Sequence, residues 1–207
     1  MYIDLVALLP LSIFQAWTGA YDELTPDVPT ATLFYMPVIL SVAGSGVIQF
    51  ANQLYWFLNV QKQPFYTEPY TIGAETIGGS NILSYEDTVL FQISVFQYVV
   101  TAIAFSIAKP FRKPIYSNIP YLLSLIFIFG VNLAFVFVPN HDTDAQNTEG
   151  SSWLNNYFLM EPYTKDGESF YGYRFWIMAG VVVNSVMTIV FEKLFVTRVT
   201  KHYDDKA

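Results

Sequence analysis

The chain has 207 residues, of which 53% are apolar, 18% aromatic and only 13% charged, with a net charge of −7 and a mean hydropathy of +0.36. Soluble domains carry about 25% charged residues, so the composition predicts an all-α integral membrane protein rather than a water-soluble fold. The acidic balance argues against a nucleic-acid partner, which needs clustered Lys and Arg. The absence of cysteine removes disulfides, thiolate metal sites and a cysteine nucleophile.

A helix needs about 20 mainly apolar residues to cross a bilayer. Taken in chain order, five segments have that character or approach it: 1–17, 33–60, 87–108, 119–139 and 174–197. The expected architecture is a bundle of five transmembrane helices whose partner is the lipid bilayer. The first segment is short and holds one acid, Asp4. A carboxylate inside a membrane helix is costly and usually serves a transport pathway, whereas one at the interface or a solvated end needs no function; both readings stand at this point. The second segment carries a polar stripe at helical spacing, Ser45, Gln49, Asn52 and Trp56. The third carries Ser94, Gln97 and Thr101, and the fifth carries Ser185, Thr188 and Glu192. Such stripes either hydrogen-bond helix to helix or line a substrate path. Tyr55, Trp56, Phe57, Phe65 and Tyr66 are expected to form an aromatic belt at one interface. Trp153, Tyr157, Phe170, Tyr171, Tyr173 and Trp176 are expected to form another.

Breaker-rich linkers separate the segments, and their charges orient the chain. Lys109, Arg112 and Lys113 fall in one short turn with no acid. Short cytoplasmic loops carry excess Lys and Arg, so 109–114 is expected in the cytoplasm. The stretch 140–173 holds six acids, Asp142, Asp144, Glu149, Glu161, Asp166 and Glu168, against Lys165 alone, and is expected on the lumenal side. Residues 61–86 would then be lumenal, and 18–32 and the tail after 197 cytoplasmic. The acids Asp22, Glu23 and Asp27 in 18–32 run against that pattern, although acids count little in the rule. The two histidines, His141 and His202, stand far apart and do not suggest a metal site. There is no G-x-S-x-G and no Walker loop. An odd number of spans and a lumenal start lead to the expectation of a piece cut from a longer protein.

Several short stretches, taken together, resemble the carboxyl-terminal membrane part of type 5B P-type ATPases, the polyamine- and cation-transporting pump family. Tyr2-Ile3-Asp4-Leu5 resembles the motif of the family's sixth transmembrane helix. Asp87-Thr88-Val89 and Ser94-Val95-Phe96-Gln97-Tyr98 resemble its eighth. Pro110, Phe111, Arg112, Pro114, Tyr116 and Asn118 resemble the loop before its ninth. The resemblance implies that the chain supplies helices six to ten of such a pump. It implies that Asp4 coordinates the polyamine or cation substrate with Tyr2 beside it, and that Asp87, Gln97 and Arg112 are structural. The family's Asp-Lys-Thr-Gly-Thr phosphorylation motif does not occur here. The resemblance therefore assigns ATP and Mg2+ to the remaining domains of a parent ATPase, and no cofactor and no catalytic residue to this chain. It also implies a late endosomal, lysosomal or vacuolar membrane. The residues alone leave open a freestanding five-span accessory protein or a small channel.

The charge pattern sets a direct test. A labelling tag inserted beside Lys113 should report the cytoplasm and one beside Asn147 the lumen; both tags on one side would remove the helix alternation.

Overall fold

The computed structural model describes residues 2–23, 34–72, 81–106, 111–138, 158, 160, 163–165 and 168–204. Helices dominate. Helix α1 covers Tyr2–Ala16, its first part, Tyr2–Leu8, wound as a π-helix and the rest, Leu9–Ala16, as an α-helix. Helices α2 (Met36–Val60), α3 (Tyr85–Ala104) and α4 (Ile119–Phe137) follow. Helix α5 begins as Gly172–Val190, passes through a π-helical stretch, Phe191–Val196, and continues as Thr197–Asp204. All five expected apolar segments are therefore helical. Two small antiparallel hairpins interrupt what the sequence presents as linkers: β1 (Tyr70–Ile72) with β2 (Asn81–Leu83), and β3 (Thr164–Lys165) with β4 (Glu168–Ser169).

Local chemistry explains the helix starts. The hydroxyl of Ser84 accepts a hydrogen bond from the backbone N–H of Asp87 at 3.0 Å, and Glu86 and Asp87 fall in the first turn, where acids suit the helix dipole. Helix α3 accordingly begins at Tyr85, two residues ahead of the apolar run. The Asn118 side chain caps α4 through Tyr121 N–H at 3.1 Å, with Pro120 in the first turn.

Among the described residues, three helices are long and apolar enough to cross a membrane: Tyr85–Ala104, Ile119–Phe137 and Gly172–Thr200. Helix α1, with 15 residues in Tyr2–Ala16, is shorter. Helix α2 has length to spare, its 25 residues spanning about 37 Å, but its amides lower its mean hydropathy. Their placement is informative. Ser41, Ser45 and Trp56 face the interior, while Val42, Val47, Phe50, Leu54 and Leu58 are exposed. The whole bundle repeats this inversion. Gln92, Gln97, Asn132, Arg174, Asn184 and Thr188 are buried, and Leu123, Ile126, Phe127, Val182, Val183 and Val186 lie outside. A protein folded in water would do the opposite.

Helix α2 runs antiparallel to α3. Gln53 on α2 donates to Gln97 on α3 at 2.7 Å, and Gln61 near the far end of α2 donates to Glu86 at the start of α3 at 3.2 Å. Helices α2 and α5 interlock reciprocally. A Cβ on Gly44 would strike the ring of Phe191, and one on Gly180 would strike the indole of Trp56. Each glycine thus makes the hole for an aromatic knob of the other helix.

The expected aromatic belts are only partly belts. Tyr55, Tyr171 and Trp176 are exposed, but Trp56, Phe65 and Tyr173 are core. Phe65 packs its ring 5.1–5.4 Å from those of Tyr85, Tyr163, Phe170 and Tyr173, because the chain after α2 folds back over the bundle end. Trp153 and Tyr157 lie outside the described residues.

Asn132 is fully buried and joins three helices. Its Nδ2 donates to the Val95 carbonyl of α3 at 2.8 Å, and its Oδ1 accepts from the Tyr2 hydroxyl of α1 at 2.7 Å. Asn132→Ala should lower bundle stability by about 1–2 kcal/mol, read as an earlier midpoint on titration from mild detergent into dodecyl sulfate. Ile126→Ala, on the exposed face, should move the midpoint little.

Candidate functional site

The π-helical opening of α1 holds both residues that the sequence singles out for substrate. Such wide turns recur at functional sites. Tyr2 is half-buried, with its ring against Phe135 at 4.9 Å, Phe158 at 5.9 Å and Phe91 at 6.4 Å. Its hydroxyl is committed to Asn132. Asp4 is exposed, with Leu5 and Val6 exposed beside it, while Ala7 and Leu11 turn inward onto Val99, Leu125 and Ile128. The structure therefore separates the pair. Tyr2 anchors α1 to α3 and α4, and Asp4 lies on surface that these helices leave uncovered.

A polar core runs between α2, α3 and α5. Gln49 is its hub. Its Nε2 donates to Thr188 Oγ1 at 2.9 Å and its Oε1 accepts from Asn184 Nδ2 at 2.7 Å. Its backbone carbonyl accepts from Gln97 Nε2 at 3.2 Å. Gln97 is thus bonded to α2 at both ends of its amide. On the second π-helical stretch, Glu192 accepts from Ser41 Oγ at 2.7 Å. The remaining stripe hydroxyls do less. Ser94 and Ser185 donate back to carbonyls of their own helices, Phe91 and Val181.

Two buried residues outside the stripes complete the framework. Arg174, 6% exposed, donates from one guanidinium nitrogen to the carbonyls of Val136 at 3.0 Å and Val138 at 2.9 Å. It satisfies carbonyls at the end of α4, which a helix cannot satisfy itself, and its charge suits that end of the dipole. Its guanidinium also lies 5.2 Å from the ring centre of Tyr171. Asn132 is the other. Each is a lone strongly polar residue in an apolar run, and that signal was available in the sequence.

At the end where α2 meets α3, Glu86 is buried and accepts from Tyr66 at 2.6 Å and Gln61. The bond to this carboxylate raises the Tyr66 pKa above its ordinary value of 10.0. Tyr163 donates to Gln92 at 2.7 Å, and complete burial raises its pKa well above the same value. Asp87 itself is exposed, and only its backbone takes part in the helix cap.

The opposite end gathers residues 111–118 of the basic motif; Lys109 and Pro110 lie outside the described residues. Lys113 N–H donates to Gly19 O at 3.0 Å, Tyr21 N–H donates to Phe111 O at 3.1 Å, and Arg112 bridges to Ala20 through the backbone. Lys113 Nζ pairs with Asp22 at 2.7 Å. One of the three acids that run against the charge pattern of 18–32, Asp22, is therefore paired by the basic turn itself. Asn118 Nδ2 donates to Phe14 O at 2.6 Å and Thr18 Oγ1 at 2.9 Å, fastening the end of α1 to the start of α4. Among the described residues no group of three or more His, Cys, Asp or Glu could hold a metal ion.

Similarity to known proteins fits this framework. No protein-family model matches the chain. It is 31% identical over 162 residues to the human polyamine-transporting ATPase 13A3, covering 70% of this chain and 13% of the relative. It is 31% identical over 137 residues to the human polyamine-transporting ATPase 13A2, covering 66% and 11%. It is 29% identical over 133 residues to the vacuolar cation-transporting ATPase YPK9 of Saccharomyces cerevisiae, covering 64% and 9%. The chain is homologous in part to the 13A group of P-type ATPases. It spans about a tenth of the length of these relatives.

Asn118 makes the strongest local demand at this end. Asn118→Ala removes a helix cap, a bond to α1 and a bond to Thr18 just beyond it, and should cost about 1–3 kcal/mol. A lowered melting temperature in detergent would show it, while Tyr116→Ala, 75% exposed, should leave the melt near wild type.

Proposed function

We propose that this chain forms part of the membrane domain of an ATP-driven polyamine or cation pump, corresponding to transmembrane helices six to ten. Helix α1 would border the substrate path and α2 to α5 would brace it. The observation that carries this reading is the similarity to cation- and polyamine-transporting ATPases over about two thirds of the chain. The burial pattern supports it, because a bundle with amides inside and aliphatic side chains outside suits lipid rather than water. The proposal extends the bilayer crossing to all five helices. Helix α2 qualifies through its outward apolar face and α1 through its antiparallel seat on α4.

Within this reading Asp4 meets the substrate. A carboxylate in a low-dielectric groove pairs with an ammonium group, and it is exposed on the one helix that the resemblance assigns to the path. Tyr2 positions that helix through Asn132 and presents an aromatic face beside it. Gln97 and Arg112 hold the supporting helices, and Asp87 stands at the start of α3. ATP and Mg2+ would act on other domains of the parent protein. The residues of this chain do not fit them, since it carries neither a phosphorylation motif nor, among the described residues, a metal cluster. The membrane would be that of a late endosome, lysosome or vacuole.

Asp4→Asn in the full-length parent tests the assignment, because it keeps the size and removes the charge. Truncating one partner of a buried charge pair costs about 2–5 kcal/mol, so the polyamine concentration for half-stimulated ATP hydrolysis should rise more than about tenfold at equal protein level. Wild-type stimulation in the Asn variant would refute a substrate role for Asp4.

A further inference from the structure

A cleft of about 210 Å3 lies where the ends of α1 and α3 meet the turn before α4, lined among others by Gln15, Thr18, Ser106, Arg112, Lys113 and Tyr121. Two cations therefore stand at one opening, among hydroxyl and amide groups. Arg112 is exposed, and its guanidinium has no partner among the described residues; nor has the side-chain amide of Gln15. Lys113 is held by Asp22, which is itself 78% exposed. The carbonyls at the ends of α1 and α3 are already occupied: Phe14 O takes the Asn118 amide, and Ala102 O takes the hydroxyls of Ser106 and Tyr121. The Arg112 guanidinium and the Gln15 amide thus bring unpaired donors to the cleft. An anion with several oxygens is the ligand that such a set fits, and Arg reads a phosphate through two parallel N–H bonds.

The surroundings decide what carries the phosphate. Lys113 also borders a second cleft of about 320 Å3, shared with Trp17, Ser117, Ile119 and Pro120. Trp17, Tyr116 and Ile119 are 64%, 75% and 63% exposed, and Ile119 continues outward into the exposed apolar line of Leu123, Ile126 and Phe127 along α4. A ligand with its phosphate at Arg112 therefore has an apolar surface for its other half. Basic pockets between membrane helices hold anionic headgroups in this way.

We propose that this cleft binds the phosphate-bearing headgroup of an anionic phospholipid, with Arg112 as the principal contact and Lys113 as the second. The acyl chains lie along the outer face of α4, and Asp22 yields Lys113 in part when the headgroup enters. The proposal rests on the bundle lying in a bilayer and does not depend on the pump assignment.

The test uses the purified full chain in phosphatidylcholine–detergent micelles, titrated with fluorescent phosphatidylinositol 4-phosphate. Wild type should bind saturably. Arg112→Gln should bind about five- to tenfold more weakly. Lys193→Gln, which removes a cation from α5, should change binding less than about twofold. Equal losses in the two variants would reduce the effect to the general positive field and overturn the site. So would an absence of saturable binding to wild type. Displacement of the lipid by inorganic phosphate at comparable concentration would overturn the lipid as its ligand. If Arg112→Gln does not fold, Arg112→Lys serves instead: it keeps the charge and loses the fork, and affinity equal to wild type there would overturn Arg112 as the phosphate contact. None of these readings involves ATP hydrolysis, so a failure here stays distinct from a failure of the pump assignment.

Discussion

An amide buried among membrane helices has no water to fall back on, so it must find its partner on a neighbouring helix. That constraint organises this bundle. Gln49 binds Thr188, Asn184 and Gln97 at once, which fixes the rotation of α2 against α3 and α5. Asn132 does the same for α1, α3 and α4. The glycine–aromatic pairs, Gly44 with Phe191 and Gly180 with Trp56, then set how closely α2 and α5 approach. The amides share the interior with apolar side chains such as Val89, Ile93, Leu125 and Ile128, and further aliphatic side chains form the outer face.

The two ends of the bundle are finished differently. At one end the basic turn is stitched to the chain after α1 through backbone bonds, the Lys113–Asp22 pair and the Asn118 side chain. At the other, aromatic rings pack over the helix ends, and Glu86 and Arg174 are buried with neutral partners. The short motifs that drew attention in the sequence serve mainly as braces. Gln97 and Asn118 each tie helices together, and Arg112 contributes through its backbone while its side chain remains available. Asp4 is exposed on α1, which makes it a candidate for contact with something outside these helices.

Much of this architecture was legible in the sequence. The five apolar runs became five helices, because helix is the form that satisfies backbone groups within one segment. The polar stripes foretold the contacts of Gln49, Gln97, Thr188 and Glu192. Other features were not legible. Trp56, Phe65 and Tyr173 had the composition of an interfacial belt, but the fold-back after α2 turned them inward. The early start of α3 depended on a single serine cap, which hydropathy does not register. Ser94 and Ser185 had the right spacing for helix-to-helix bonds and satisfied themselves locally instead. The pairing of Tyr2 with Asn132 spans 130 residues and could not be read from local pattern. The roles of Asp4 and Tyr2 toward substrate came from resemblance, and the bundle shows only where each side chain stands.

Helix α2 is where the inverted burial pattern is most exposed to test, since its average hydropathy alone would not place it in lipid. The chain has no native cysteine, so single cysteines can be spin-labelled without background at Val42, Val47, Phe50 and Leu54, and at the buried Ser45. In reconstituted bilayers the account predicts that labels at the four exposed positions collide with oxygen and not with a water-soluble nickel chelate, and that the label at Ser45 collides with neither. Nickel accessibility along Val42, Val47, Phe50 and Leu54 would place that face in water and contradict the inverted bundle.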